Sequence, residues 1–159
     1  MDLTGCPPDD DAVRERPRYF FGMLISEHDL NQEQAYFLAK SRRHNRMLHG
    51  WGIVAGLEVS AFGSEGRHVS VAPGYALDPC GNEINVDESV VVEVPCDGRS
   101  FIALGFEEVV VREARVRESF VIRSIRDPGE PWVVLAAITA DGDTGLAVDP
   151  SPRRRLTCD

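Results

Sequence analysis

The side chains best suited to chemistry in this 159-residue chain are four histidines and four cysteines: His28, His44, His49, His68, Cys6, Cys80, Cys96 and Cys158. His28 adjoins Asp29, and neighbours on a helix point about 100° apart, so the two form no dyad. His44 and His49 are five positions apart, whereas two ligands on one helical face need a spacing of three or four. They therefore read as core or hydrogen-bonding residues, and no metal site is expected. Asp78 and Cys80 flank Pro79 in a turn sequence. A nucleophilic cysteine there would need a base, and only the distant His44, His49 or His68 could serve, so the turn reading is preferred. The cysteines show no CxxC spacing, and no export signal is visible, so all four are expected as reduced thiols. Glu107-Glu108 and Arg115, Arg117 and Glu118 read as solvated strand faces or interfacial ion pairs. No GxGxxG, Walker A, GxSxG or HExxH pattern occurs. No catalytic, cofactor-binding or metal-binding residue is assigned, and the expectation is a protein that is not an enzyme.

The stretch Arg16 to Val59 carries the elements that would position these residues. Ser26 with Asp29 three positions on resembles a capping box, and Glu27 and Asp29 suit the positive end of a helix dipole. No Pro or Gly follows until Gly50, so a helix is predicted over about 27–49. Leu30, Phe37 and Leu48 recur at near-helical spacing, and Arg42, Arg43 and Arg46 load the C-terminal half with positive charge. Gly50 is the predicted stop, in a left-handed cap. Trp51, between two glycines, is expected to plug the joint between helix and sheet.

Beyond Gly52 the pattern turns to alternation. Strands are expected at 53–62 (broken at Gly56, where a bulge is anticipated), 69–72, 75–77, 83–86, 89–94, 101–111, 114–125, 132–140 and 145–148. Asp78-Pro79-Cys80-Gly81-Asn82 has the residues of a tight turn. Val116, Phe120 and Ile122 are placed on an inner face, with Arg115, Arg117 and Arg123 outside and a frame change near Ser119. Short strands at this spacing predict a sandwich or partly closed barrel. The fold class is thus α+β: an N-terminal amphipathic helix packed on an antiparallel β-sandwich or partly closed β-barrel. Three parts are assigned: an extended arm at 1–15, a single domain at 16–149 and a tail at 150–159. The arm is acidic and the tail basic, and both read as partner-binding arms.

Composition narrows the partners. The net charge of −9 argues against nucleic acid. No apolar run approaches the roughly 18 residues of a membrane span, and no signal peptide is visible. Hydrophobic residues make up 43%, ordinary for a globular domain. Lys40 is the single lysine, so sixteen of the seventeen basic residues are arginine, a bias suited to fixed ion pairs at protein contacts.

The run RPRYFFGMLISEHDLNQEQAYFLAKSRRHNRMLHGWGIVAGLEV resembles the N-terminal signature of small proteins and domains of phage-tail-like contractile injection systems (RxRYFxGxL…HNRxLHGWG…GLEV). The matching residues are Arg18, Tyr19, Phe20, Gly22, Leu24, Asp29, Glu33, Gln34 and His44 to Gly52. The likeness resumes at 71–84, 115–120 and 131–138. Ala55 departs from it where the family often has a cysteine, so any pairing of that cysteine with Cys80 is absent here. The resemblance implies a structural subunit of such a particle, in its baseplate or at a tail junction. Its partners would be other particle subunits (baseplate, tube, sheath or fibre proteins) in a multi-copy assembly formed in the cytoplasm. The residues expected to matter are architectural: Tyr19, Phe20, His44, Asn45, Arg46, His49 and Trp51. A small-molecule or carbohydrate-binding β-module is the alternative, and a cysteine-dependent enzyme centred on Cys80 a third reading.

Overall fold

The computed structural model describes residues 15–63, 67–113, 115–129, 131–141 and 145–156. Helix α1 (Glu27–His44) opens on the expected capping box. The Ser26 backbone N–H donates to Asp29 Oδ2 at 2.8 Å, and the Asp29 N–H donates to Ser26 Oγ at 3.3 Å. The Ser26 hydroxyl, donating to Asp29 Oδ2 at 2.6 Å, and the Ser26 N–H together hold the Asp29 carboxyl below its usual range. The helix then changes period: Asn45–His49 form one π-helical turn, closed by the Gly50 N–H donating to Asn45 O at 2.9 Å. Gly50 has φ +75° and ψ −149°, a glycine-only region rather than the expected left-handed helical cap.

Among the described residues ten strands follow, in three antiparallel sheets. The first sheet has the order β1-β4-β5, from β1 (Gly52–Gly56), β4 (Gly74–Leu77) and β5 (Glu83–Val86). The second is β2-β3-β6, from β2 (Val59–Phe62), β3 (His68–Val71) and β6 (Val90–Glu93). The third is β10-β9-β7-β8, from β7 (Gly98–Arg112), β8 (Arg115–Ile125), β9 (Val133–Asp141) and β10 (Gly145–Asp149). The break at Gly56 is therefore a change of sheet, and the register of β1 on β4 slips between Ile53 and Ala55. All three sheets feed one core. Ile53 and Ile84 come from the first, Val69, Val71 and Val92 from the second, and Ile102, Leu104, Leu135 and Ile138 from the third. This is an α+β fold with a partly open sandwich.

Two features depart from expectation. No frame change occurs at Ser119: β7 and β8 pair continuously from Phe101↔Ile125 to Val110↔Val116, and the slip lies beyond, before Arg112. Phe120, Val121 and Ile122 are all half-buried, because this outer strand is partly covered on both faces and needs no strict alternation. The second concerns residues 150–156, expected as part of a partner-binding tail. They run back along β1. The Ile53 N–H donates to Arg154 O at 2.7 Å, and the Leu156 N–H donates to Ile53 O at 2.9 Å. Arg153 is tucked beneath, its Nη2 donating to Gly56 O at 2.7 Å, while Arg155 Nη2 lies 3.6 Å from Glu58. A buried guanidinium with a backbone partner fixes the strap more firmly than exposed charges could. The acidic arm lies outside the described residues apart from Glu15, and so do 157–159.

Pairing of β7 with β9 ends at Leu104↔Val133, whereas pairing with β8 continues to Arg112↔Arg115. Residues beyond Gly105 thus form a two-stranded arm that outruns the sheet. Its Val109, Val110, Val111 and Val116 are all exposed.

Candidate functional site: the helix joint and the cleft beside it

The last turns of α1 and the π-turn sit on the loop between β4 and β5. The loop is tied to itself first. The Asp78 side chain is 1% exposed, and its two oxygens accept from the Asn82 backbone N–H and from Asn82 Nδ2, each at 2.8 Å. Burial still pushes the Asp78 carboxyl above its ordinary range, against the pull of these bonds and of nearby Arg42. Gly81 takes φ +85°, and a Cβ on it would lie 2.2 Å from Arg42 O, so the residue both makes the turn and admits the helix.

Three helix side chains then grip the loop. Arg42 Nε donates to Asn82 Oδ1 at 2.6 Å. Asn45 Nδ2 donates to Gly81 O at 2.9 Å and lies 3.4 Å from Glu83 Oε1. Arg46 Nη1 donates to Cys80 O at 2.8 Å. Asn45 is the one buried residue of the helical segment. Glu83 also accepts from the Tyr75 hydroxyl at 2.6 Å, and burial together with that bond pushes the Tyr75 phenol up to about 12.

The other architectural candidates lie elsewhere. His44 and His49, separated by the spacing argument, meet: their Nε2 atoms are 3.3 Å apart and their ring centroids 5.2 Å. The reason is the π-turn, whose i to i+5 period puts residues five apart on one face. Both rings are exposed, so neither is the core residue that was one of the two expectations for them. Trp51 is half-buried, with the Arg154 guanidinium 4.3 Å above its ring. The strap, rather than helix or sheet alone, covers it. Tyr19 and Phe20 stay exposed ahead of α1. The Tyr19 hydroxyl donates to Glu33 Oε2 at 2.9 Å, and this bond raises its pKa.

Cys80 is disulfide-bonded and Cys96 is a free, exposed thiol, so the expectation of four reduced thiols fails at Cys80. A sulfur held in a disulfide is no nucleophile, which removes the chemical basis of an enzyme centred there. Among the described residues no three His, Cys, Asp or Glu side chains converge to hold a metal. None of the described helices is long and apolar enough to cross a membrane.

Sequence reasoning missed the cleft beside the joint. It lies between α1 and the β7–β8 arm, has a volume of about 700 Å³, and is floored by Phe37, Leu38 and Val116. None of the 18 residues of α1 is buried, and Leu30, Phe37 and Leu38 stand 50%, 52% and 41% exposed. A signal existed in Glu-Glu-Val-Val-Val at 107–111, where three successive valines cannot all face a core from one strand.

The sequence matches no protein-family model and no curated protein. The fold, however, is similar to solved structures. Against a crystal structure of TssK the TM-score is 0.56 at 12% identity, covering 85% of this chain and 41% of that one. TssK from the type VI secretion system of EAEC, in complex with a nanobody, gives 0.55 at 17% identity, covering 76% and 52%. A chain of the type VI secretion TssK-TssF-TssG baseplate subcomplex gives 0.52 at 17% identity, covering 86% and 60%. This chain spans about half the length of the chains it resembles. At such identities the likeness is one of fold alone: the sandwich is shared with TssK and with a chain of a type VI secretion baseplate subcomplex.

Proposed function

We propose that this chain is a non-enzymatic structural subunit of a contractile injection or phage-tail-like particle, placed in its baseplate or at a tail junction. The observation that carries the reading is the exposed apolar surface of α1 on a sandwich of this fold. An 18-residue helix with no buried residue, displaying Leu30, Phe37 and Leu38, is built to be covered by something else. The fold likeness to TssK and to a chain of the TssK-TssF-TssG subcomplex supports a baseplate as the setting. The resemblance of residues 16–59 to the injection-system signature supports it independently. Its partners are then other particle subunits, and several copies assemble in the cytoplasm.

Sedimentation of particles from producing cells tests this. The protein should co-purify with sheath and tube proteins through a density gradient, and deleting its gene should abolish complete particles. Intact, normally abundant particles from the deletion strain would overturn the reading.

A further inference from the structure

We propose that the cleft between α1 and the β7–β8 arm is a docking groove for a basic amphipathic segment of another protein, one with a row of apolar side chains flanked by lysines or arginines. The floor supplies the apolar half of the argument. Phe37 and Leu38 from α1 face Val116 from β8 across about 700 Å³. A helix and a hairpin that both expose large apolar residues toward one hollow leave room for an apolar insert.

The rim supplies the charge. Glu33, Glu108 and Glu118 line the same hollow. Glu108 and Glu118 are direct cross-strand partners in the β7–β8 ladder, and like charges directly opposite one another are destabilising. Arg42, which lines the adjoining hollow, lies 3.5 Å from Glu108, and its Nε is already engaged by Asn82. Glu118 has no ion-pair partner among the described residues. It also borders two further hollows, of about 170 and 280 Å³, that continue past Phe106 and Glu83 to Tyr75, Asp87 and Phe120. The acidic groove therefore runs on along β8, the outer strand of its sheet. A cation laid there would relieve a repulsion that the fold itself maintains. A second copy of this chain is a poor occupant, since each copy carries −9 and would bring more negative charge to the rim.

The proposal stands on the cleft and not on the baseplate reading. It is tested on the full chain by fluorescence anisotropy with three labelled 18-residue peptides. One has leucines at i, i+3, i+4 and i+7 with lysines elsewhere, one has the same composition shuffled, and one has glutamates in place of lysines. The first should bind at least about tenfold more tightly than either control, a difference of about 1.4 kcal/mol, and should weaken as salt rises. Glu118→Lys removes the like-charge pair, so the melting temperature should hold or rise while binding falls at least about tenfold. Val116→Asp should also lose binding, and Glu88→Lys, at an exposed position that does not line the groove, should keep it. Equal affinity for the shuffled peptide, or undiminished binding by a well-folded Glu118→Lys variant, overturns the proposal. So does light scattering that shows self-association abolished by Val116→Asp, which would make the cleft a contact between copies. Particle incorporation is scored separately, so the groove can fail while the baseplate reading stands.

Discussion

The two ends of the helical segment differ sharply. At its C-terminal end, Arg42, Asn45 and Arg46 each donate to the loop at 80–82, and the contact is so close that only glycine fits at position 81. At its N-terminal end and middle, Leu30, Phe37 and Leu38 touch no core and face water or the cleft. One end is specified by hydrogen bonds to the Cys80 and Gly81 carbonyls and to the Asn82 side chain. The other is left apolar and open. Stability should therefore reside at the joint, and association at the exposed face, and substitutions should separate the two.

Gly81→Ala is expected to give the largest loss. It forces a side chain into a positive-φ turn and against Arg42 O, and should cost about 3 kcal/mol or more in urea unfolding. A cost under 1 kcal/mol would show that the helix can lift off the loop cheaply, and the contrast would collapse. Asn45→Ala comes next, since it leaves the carbonyl of Gly81 without its buried donor, and should cost about 1–3 kcal/mol by the same measurement.

Asp78 sharpens the comparison through pH. Its folded-state pKa is raised by burial, so on acidification the folded chain takes up a proton there before the unfolded chain does. The stability this group contributes thus increases as pH falls from the raised value toward the ordinary carboxylate range, and is level below it. Unfolding free energies of the wild type and Asp78→Ala, compared between pH 7 and the ordinary carboxylate range near pH 4, should diverge in favour of the wild type on the acid side. Parallel curves would show that the Asn82 bonds offset burial. The smallest effect on stability belongs to the open end. Phe37→Ser should change the unfolding free energy by less than about 0.5 kcal/mol while impairing incorporation into particles. A loss of several kcal/mol would mean that Phe37 supports the fold.

Local chemistry was readable wherever a residue acts on its near neighbours. Ser26 and Asp29 form their box, the turn at 78–82 forms as its residues require, and the strands from Tyr75 to Val94 fall within a residue or two of their expected places. What stayed hidden depends on distance along the chain or on a change of period. His44 and His49 could not be paired from a regular helix, because the π-turn at Asn45–His49 breaks the regular spacing that the argument assumed. The partnership of Glu108 with Glu118 required the hairpin register, and the slip sits near its tip rather than at Ser119. Arg153 to Leu156 read as part of a partner-binding basic tail, since nothing in three consecutive arginines announces that one lies beneath β1 and another over Trp51. The cleft was illegible for the same reason: its walls come from segments some seventy residues apart.

The strap on β1 also orders events in time. Arg153 closes on Gly56 across 97 positions of chain, and Leu156 reaches Ile53 across a still longer span. Contacts of such separation form slowly, because a long loop must close before they stabilise anything. On the ribosome, β1 leaves the tunnel long before its cover is synthesised, and its outer edge waits with unpaired amides and carbonyls. Any fragment that stops short of Arg153 keeps that edge bare, open to pairing with another chain.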